Sequence, residues 1–217
     1  MFEFFKEKIL SLIYPPICIF CENLTHENDL VCDTCKKNVK INTSVRPLLE
    51  FEEVIYCISP FEYKSKAKDA ACKFKFYGHR NYAKYFSEII SGEIIKNFPN
   101  LKFNFITATP LSKKRKQERG YNQSEWLAKS LGEKLNLEYE ESLIKIKDNF
   151  PQHELPFNER ILNVRGVYKV NNLVNIRGKN ILLCDDIITT GNTLKECVKI
   201  LKRSGAKNIL CCTIAYA

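Results

Sequence analysis

Apolar positions along this chain alternate between two spacings. Runs of strand length occur at Val54–Tyr63 (interrupted by Pro60), Phe103–Ala108, Leu143–Ile146, Ile181–Cys184 and Asn208–Ile214. Between them, Lys66–Tyr77, Tyr82–Ile95 and Asn122–Leu135 carry apolar residues at helical spacing, with Gly78 a natural stop for the first. The helix after Thr193 is the clearest. Leu194, Cys197, Val198 and Leu201 line one face, Lys202 and Arg203 fall in the last turn, and Gly205 is placed as its cap. Arg160–Val170 reads as irregular or strand. Strands alternating with helices predict an α/β fold with an open, mostly parallel sheet, which takes its ligands at the carboxyl ends of the strands. No internal repeat interrupts this order.

A chain of 217 residues, 45% hydrophobic, accommodates one ordinary domain and a small extra module. The expected division is 1–46 for a cysteine module with an N-terminal helix and 47–217 for the α/β domain. Met1–Ile13 is rich in Phe, Ile and Leu but is broken by Glu3, Lys6, Glu7 and Lys8, so it lacks the apolar core of a secretory signal. No run has the length of a transmembrane helix. The net charge is +9, and 26 of the 34 basic residues are Lys, a balance that suits a polyanionic partner without requiring one. The expected location is the cytoplasm, including the inner face of the membrane as a peripheral protein, where ten cysteines remain largely reduced.

Four of those cysteines form the pattern Cys18-x-x-Cys21 and Cys32-x-x-Cys35, with ten residues between the pairs. Two such knuckles converge their thiolates on one tetrahedral ion. Structural zinc is favoured because four thiolates leave no open coordination position; rubredoxin-like iron is the alternative. His26, in the intervening loop, reads as a surface residue. Cys57, Cys72, Cys184, Cys197, Cys211 and Cys212 lie in apolar contexts and read as small core residues.

The densest chemistry lies at Ile181-Leu182-Leu183-Cys184-Asp185-Asp186-Ile187-Ile188-Thr189-Thr190-Gly191-Asn192-Thr193. A buried strand ends in two carboxylates, and a Thr- and Gly-rich loop then enters a helix. The start of a helix exposes unpaired N–H groups suited to a phosphate, and adjacent carboxylates accept well from vicinal ribose hydroxyls. Thr-Thr-Gly-Asn-Thr alone is equally a turn and helix cap. The full segment resembles the phosphoribosyl diphosphate (PRPP) loop of type I phosphoribosyltransferases. That resemblance implies binding by Asp185, Asp186, Thr189, Thr190, Gly191, Asn192 and Thr193, with Asp185 and Asp186 as the catalytic pair.

Three further segments join it. Lys113, Lys114, Arg115, Lys116 and Arg119 follow a strand ending near Pro110, so a basic loop is expected on the same rim, suited to pyrophosphate. Arg119-Gly120-Tyr121-Asn122-Gln123-Ser124 leads into a helix that Asn122 or Ser124 caps, with Trp126 read as packing. Lys64–Arg80 mixes basic and aromatic residues, the ingredients of single-strand binding, and Lys73, Lys75 and Arg80 are its candidate DNA contacts; an amphipathic helix with solvated lysines is the alternative.

Together with Phe74-Lys75-Phe76-Tyr77-Gly78 and the spaced set Gln152, Arg160, Asn163 and Gly166, these segments resemble the ComF family of competence-associated, phosphoribosyltransferase-like proteins over nearly the whole chain. Tyr121 stands where that family commonly has Phe. The resemblance implies a role in natural transformation, handling of incoming single-stranded DNA beside cytoplasmic DNA-uptake proteins, binding of PRPP with Mg²⁺, and a zinc-ribbon module. Little chain is left over for an acceptor-base hood, which favours a binding protein. The alternative is an active phosphoribosyltransferase of nucleotide metabolism or salvage.

Overall fold

The computed structural model describes residues 16–26, 29–50, 53–77, 80–147 and 166–217. The expectations for Met1–Ile13, Gly78, Gln152, Arg160 and Asn163 lie outside the described residues. The elements in chain order are α1 (Asp33–Asn38), β1 (Ser44–Glu50), β2 (Val54–Ser59), β3 (Phe61–Glu62), α2 (Ser65–Tyr77), α3 (Arg80–Asn97), β4 (Phe105–Ala108), α4 (Lys113–Arg119), α5 (Gln123–Leu135), β5 (Leu143–Lys145), β6 (Tyr168–Val170), β7 (Asn180–Cys184), β8 (Ile187–Ile188), α6 (Asn192–Arg203), β9 (Asn208–Cys212) and β10 (Ala215–Tyr216).

Side-chain alternation along β7 explains the architecture. Ile181 and Leu183 face one core, which Leu194, Cys197, Val198 and Leu201 of α6 complete. Leu182 and Cys184 face the other, built from Phe74 of α2, Phe86 and Ile90 of α3, and Leu127 and Leu131 of α5. A strand covered on both faces must be apolar at every position, hence its unbroken hydrophobic run. The main sheet has the order β1-β2-β9-β7-β4. Its neighbours from β2 to β4 are parallel, and β1 returns antiparallel on β2. A small parallel sheet, β3-β10-β8, lies beyond it. The result is an open, mostly parallel α/β sheet with an N-terminal four-cysteine module beside it.

The cysteine module packs into the α2–α3 core. Ile19, Phe20 and Val31 are buried there, and the Phe20 ring meets Phe61 and Tyr85 edge-on at 6.1 and 5.6 Å. Helix α6 ends as its sequence predicts: Gly205 adopts φ +90°, its N–H donates to Lys202 O, and Ala206 N–H donates to Leu201 O.

Three features go beyond the sequence pattern, and one of them, the Ser112–Arg119 loop, corrects an expectation. The strand expected at Leu143–Ile146 forms an antiparallel ribbon with β6, outside the main sheet. Ser112–Arg119 is not a loop: Ser112 Oγ accepts from Arg115 N at 3.3 Å, α4 follows, and left-handed Gly120 ends it. Strand β1 escaped the pattern because Arg46 and Pro47 interrupt its apolar residues; the proline lacks a donor and suits an edge strand, where the register also shifts.

Candidate functional site

Asp185 and Asp186 emerge from the carboxyl end of β7, beside the end of β4, whose Ala108 is paired with Cys184. The neighbouring chain crosses directly over them. Thr109 Oγ1 donates to Asp185 Oδ1 at 2.6 Å, Ser124 Oγ donates to the same atom at 2.9 Å, and the Asp186 amide adds a third bond at 2.9 Å. Asp185 Oδ2 receives no hydrogen bond among the described residues. Asp186 is held differently. Its Oδ1 accepts from Ile187 N at 2.7 Å, and its Oδ2 accepts from Gln123 Nε2 at 2.8 Å and from the Lys75 ammonium at 2.9 Å.

These contacts follow from local folding. Asn122 caps α5 by accepting from Ser124 N at 3.1 Å, and its Nδ2 donates to Thr109 O at 3.0 Å. The cap fixes the first turn of α5 against β4 and aims Gln123 and Ser124 at the acidic pair. Lys75 arrives from the last turn of α2, whose buried Phe74 anchors the helix.

Charge follows geometry. Burial and the adjacent Asp186 push the Asp185 carboxyl up to about 6. Burial alone would raise Asp186 too, but the Lys75 charge and the Lys75 and Gln123 hydrogen bonds outweigh it and hold that group below the ordinary carboxylate range. Two adjacent acids thus differ in kind: one is a fixed anion, the other is near its titration range.

Asp185 also lines a small open depression with Ile187, Ile188, Thr189, Gly191, Asn192 and Thr193. Gly191 adopts φ +71°, and a Cβ there would stand 2.8 Å from the Leu48 side chain. The loop therefore favours glycine for its conformation, while the added contact falls on the movable end of a side chain. Asn192 N donates to Thr190 Oγ1 at 3.4 Å, while the Thr190 and Gly191 amides donate to no group among the described residues.

The other expected residues are distributed unevenly. Lys113 and Lys114 are exposed on α4, while Lys116 pairs with Glu125 at 3.1 Å. The Arg119 guanidinium lies 5.2 Å from the centre of the exposed Phe76 ring and donates to Gln123 Oε1 at 3.4 Å. Lys73 and Lys75, two of the expected DNA contacts, are each paired within the chain. Lys73 pairs with Glu22 of the cysteine module at 2.8 Å and Lys75 with Asp186, because α2 is packed between that module and the acidic pair. The side chain of Arg80 lies outside the described residues. Trp126 does pack, stacking on Tyr121 at 4.2 Å and 10°.

Sequence reading missed Thr109, Gln123, Ser124 and Lys75 as partners of the carboxylates. The available signal was a polar helix start, Asn122-Gln123-Ser124, following a strand on the same rim.

At the second site, the Sγ atoms of Cys18, Cys21, Cys32 and Cys35 lie within 4.8 Å of one another. Tetrahedral zinc with bonds of about 2.3 Å spaces sulfurs about 3.8 Å apart, and Cys21 and Cys32 stand at 3.6 Å. The donor set fits zinc. One knuckle is tightened by Glu22 in the left-handed conformation, with its N–H donating to Cys18 O at 2.8 Å; the other is the start of α1. Burial raises the Cys18 thiol, but backbone N–H groups of Cys32, Phe20 and Cys21 overcome this and bring it to about 7. Burial and the neighbouring thiols push Cys35 up to about 12 although Lys66 approaches it at 3.3 Å. Four such thiolates need a multivalent cation to coexist. His26 is exposed, as expected.

Residues 93–217 match the family described as phosphoribosyl transferase domain, and residues 9–46 match the double zinc ribbon domain. Competence protein ComFC of Bacillus subtilis (strain 168) is 26% identical over 227 residues, covering 89% of this chain and 91% of that protein. Competence protein ComFC of Streptococcus pneumoniae (strain ATCC BAA-255 / R6) is 34% identical over 149 residues, covering 69% and 63% respectively. DNA utilization protein YhgH of Escherichia coli O157:H7 is 29% identical over 105 residues, which is 48% of this chain and 45% of that relative.

Proposed function

Because the chain belongs to the phosphoribosyl transferase domain family and, with its double zinc ribbon, to the ComF family of competence proteins, we propose that it binds PRPP with Mg²⁺ at the Asp185–Thr193 loop and handles single-stranded DNA in natural transformation. The observation that carries this reading is the strand-end acidic pair opening onto the Gly191 loop and its depression. The 5′-phosphate would take the loop amides from Thr189 to Thr193, and the ribose hydroxyls would take the carboxylates, Asp185 foremost. Mg²⁺ enters with the ligand and neutralises its pyrophosphate; among the described residues the four cysteines are the one cluster of three or more metal-ligating side chains.

In this reading the chain's own groups orient and neutralise. Thr109 and Ser124 hold Asp185 toward the loop, and the exposed α4 lysines Lys113 and Lys114, with Arg115 and Arg119, meet the pyrophosphate or a DNA backbone. Partners are then PRPP, single-stranded DNA and cytoplasmic DNA-uptake proteins. No helix among the described residues is long and apolar enough to cross a membrane, which is compatible with action in the cytoplasm or at its membrane face.

The test is DNA binding by the purified full chain across a salt series, beside uptake assays in a deletion strain. Phosphate-dominated binding falls steeply with salt and depends little on sequence. No DNA affinity at low salt, with normal transformation in the deletion strain, would overturn the DNA role. Pyrophosphate release on adding a nucleobase would instead favour the salvage-enzyme alternative.

A further inference from the structure

The acidic pair has a feature that the PRPP reading does not use: one of its two carboxylates has a cation of the chain's own. We propose that Lys75 is a positioning residue of this site, fixing Asp186 in place and leaving Asp185 as the carboxylate that turns to the ligand. The proposal rests on the PRPP reading for the ligand's identity and on the geometry alone for the division of labour.

The geometry is specific. Both Asp186 oxygens are engaged, Oδ1 by the Ile187 amide and Oδ2 by Gln123 and Lys75, and its side chain is 6% exposed against 28% for Lys75. The Asp185 carboxylate has all its hydrogen bonds among the described residues on Oδ1, and the residue lines the depression. Lys75 cannot drift from this position, because α2 is tied down along its length. Lys66 donates to Cys35 Sγ, Lys73 pairs with Glu22, Phe74 is buried, and Tyr121 O–H donates to the Lys75 carbonyl at 3.3 Å. The same helix thus contacts the cysteine cluster near one end and the acidic pair at the other. The groups that set charge around Asp186 are Lys75 and Tyr63 from the α2 side, Gln123 and Arg119 from the α4–α5 side, and Asp185 beside it. Arg119 opposes protonated Lys75 but does not touch Asp186 in any hydrogen bond among the described residues.

The test compares the wild-type chain with Lys75→Met, Lys75→Arg and the double variant Lys75→Met/Asp186→Asn. Carboxyl-carbon NMR on ligand-free, zinc-loaded protein follows the titration of Asp185 and Asp186, and calorimetry follows PRPP binding with Mg²⁺. In Lys75→Met the titration of Asp186 should move up by about one pH unit or more, as the pair comes to share a proton. PRPP affinity at neutral pH should fall about tenfold or more as the pair loses its fixed geometry. Lys75→Arg should restore both. Lys75→Met with wild-type carboxyl titration would overturn the proposal, as would wild-type affinity in that variant. If Lys75→Met does not fold, the charge-neutral double variant decides. It should fold, and Asp185 should titrate lower for want of its charged neighbour; an unchanged Asp185 would overturn the proposal. Wild-type protein that binds no PRPP defeats the proposed function, while the carboxyl titrations still judge Lys75.

Discussion

The cysteine module and the acidic loop solve the same electrostatic problem in opposite ways. Each gathers groups that repel one another when ionised. The four thiols lie within 4.8 Å with Lys66 touching one of them, so the charge balance must come from a metal ion. The two carboxylates are balanced from within, by Lys75 on Asp186. A site completed by a metal gains its stability when the metal binds. A site half-neutralised by the chain is fixed beforehand and keeps one group, Asp185, for the ligand.

The strongest way to break this comparison is to remove the metal. Structural zinc contributes on the order of 10 kcal/mol of apparent binding energy, so Cys18→Ser, Cys21→Ser, Cys32→Ser or Cys35→Ser should lose stoichiometric metal and show the largest fall in thermal stability. Metal analysis of wild-type protein finding neither zinc nor iron would remove that half of the comparison.

Next in size is Asp186→Ala. It leaves Lys75 without its carboxylate, and breaking a buried pair costs about 3 kcal/mol or more; partial exposure of Lys75 places the expected loss at the low end. Denaturant unfolding should show it, and adding Lys75→Met should recover most of it.

The pH dependence has the opposite sign for the two acids. The Asp185 pKa stands near 6 in the folded chain against 3.8 ordinarily, so the folded state binds the extra proton. Its contribution is full below about pH 4 and is lost as pH rises through about 6. Asp186 is depressed, so its contribution is present above the ordinary carboxylate pKa and is lost as pH falls below it. Asp185→Asn should therefore raise stability at pH 7.5 by about 2 kcal/mol relative to its effect at pH 4. Unfolding curves at the two pH values would show this, and an equal effect at both would contradict the assignment.

The smallest effect is Gly191→Ala. A Cβ at φ +71° costs about 1 kcal/mol in backbone strain, and the added contact falls on the movable end of Leu48. Thermal unfolding should change modestly while PRPP affinity falls more, because the strain lies in the loop that receives the phosphate.

Sequence legibility followed the same division. The cysteine pairs, the Asp185–Thr193 loop, α6 with its Gly205 cap and the parallel strands were readable because each is encoded within one short segment. The settings of Lys75, Gln123, Ser124 and Thr109 were not. Gln123 meets Asp186 across 63 residues of chain and Thr109 meets Asp185 across 76, and only the order of strands in the sheet brings such segments together. The pairing of Lys75 is hidden because its neighbours in sequence are lysines and aromatics, whereas its neighbour in space is a carboxylate. Strand β1 was lost for a different reason: an edge strand tolerates the Arg and Pro that erase the apolar pattern.

The central claim is that the strand-end acidic pair and the Gly191 loop hold a phosphoribosyl ligand, with Asp185 as the carboxylate facing it. Calorimetric titration of PRPP with Mg²⁺ into the wild-type chain and Asp185→Asn, both verified as folded, tests it most directly. The account predicts saturable binding by the wild type and a loss of about a hundredfold, about 2.7 kcal/mol, in the variant. No binding by the wild type, or equal binding by both proteins, would contradict it.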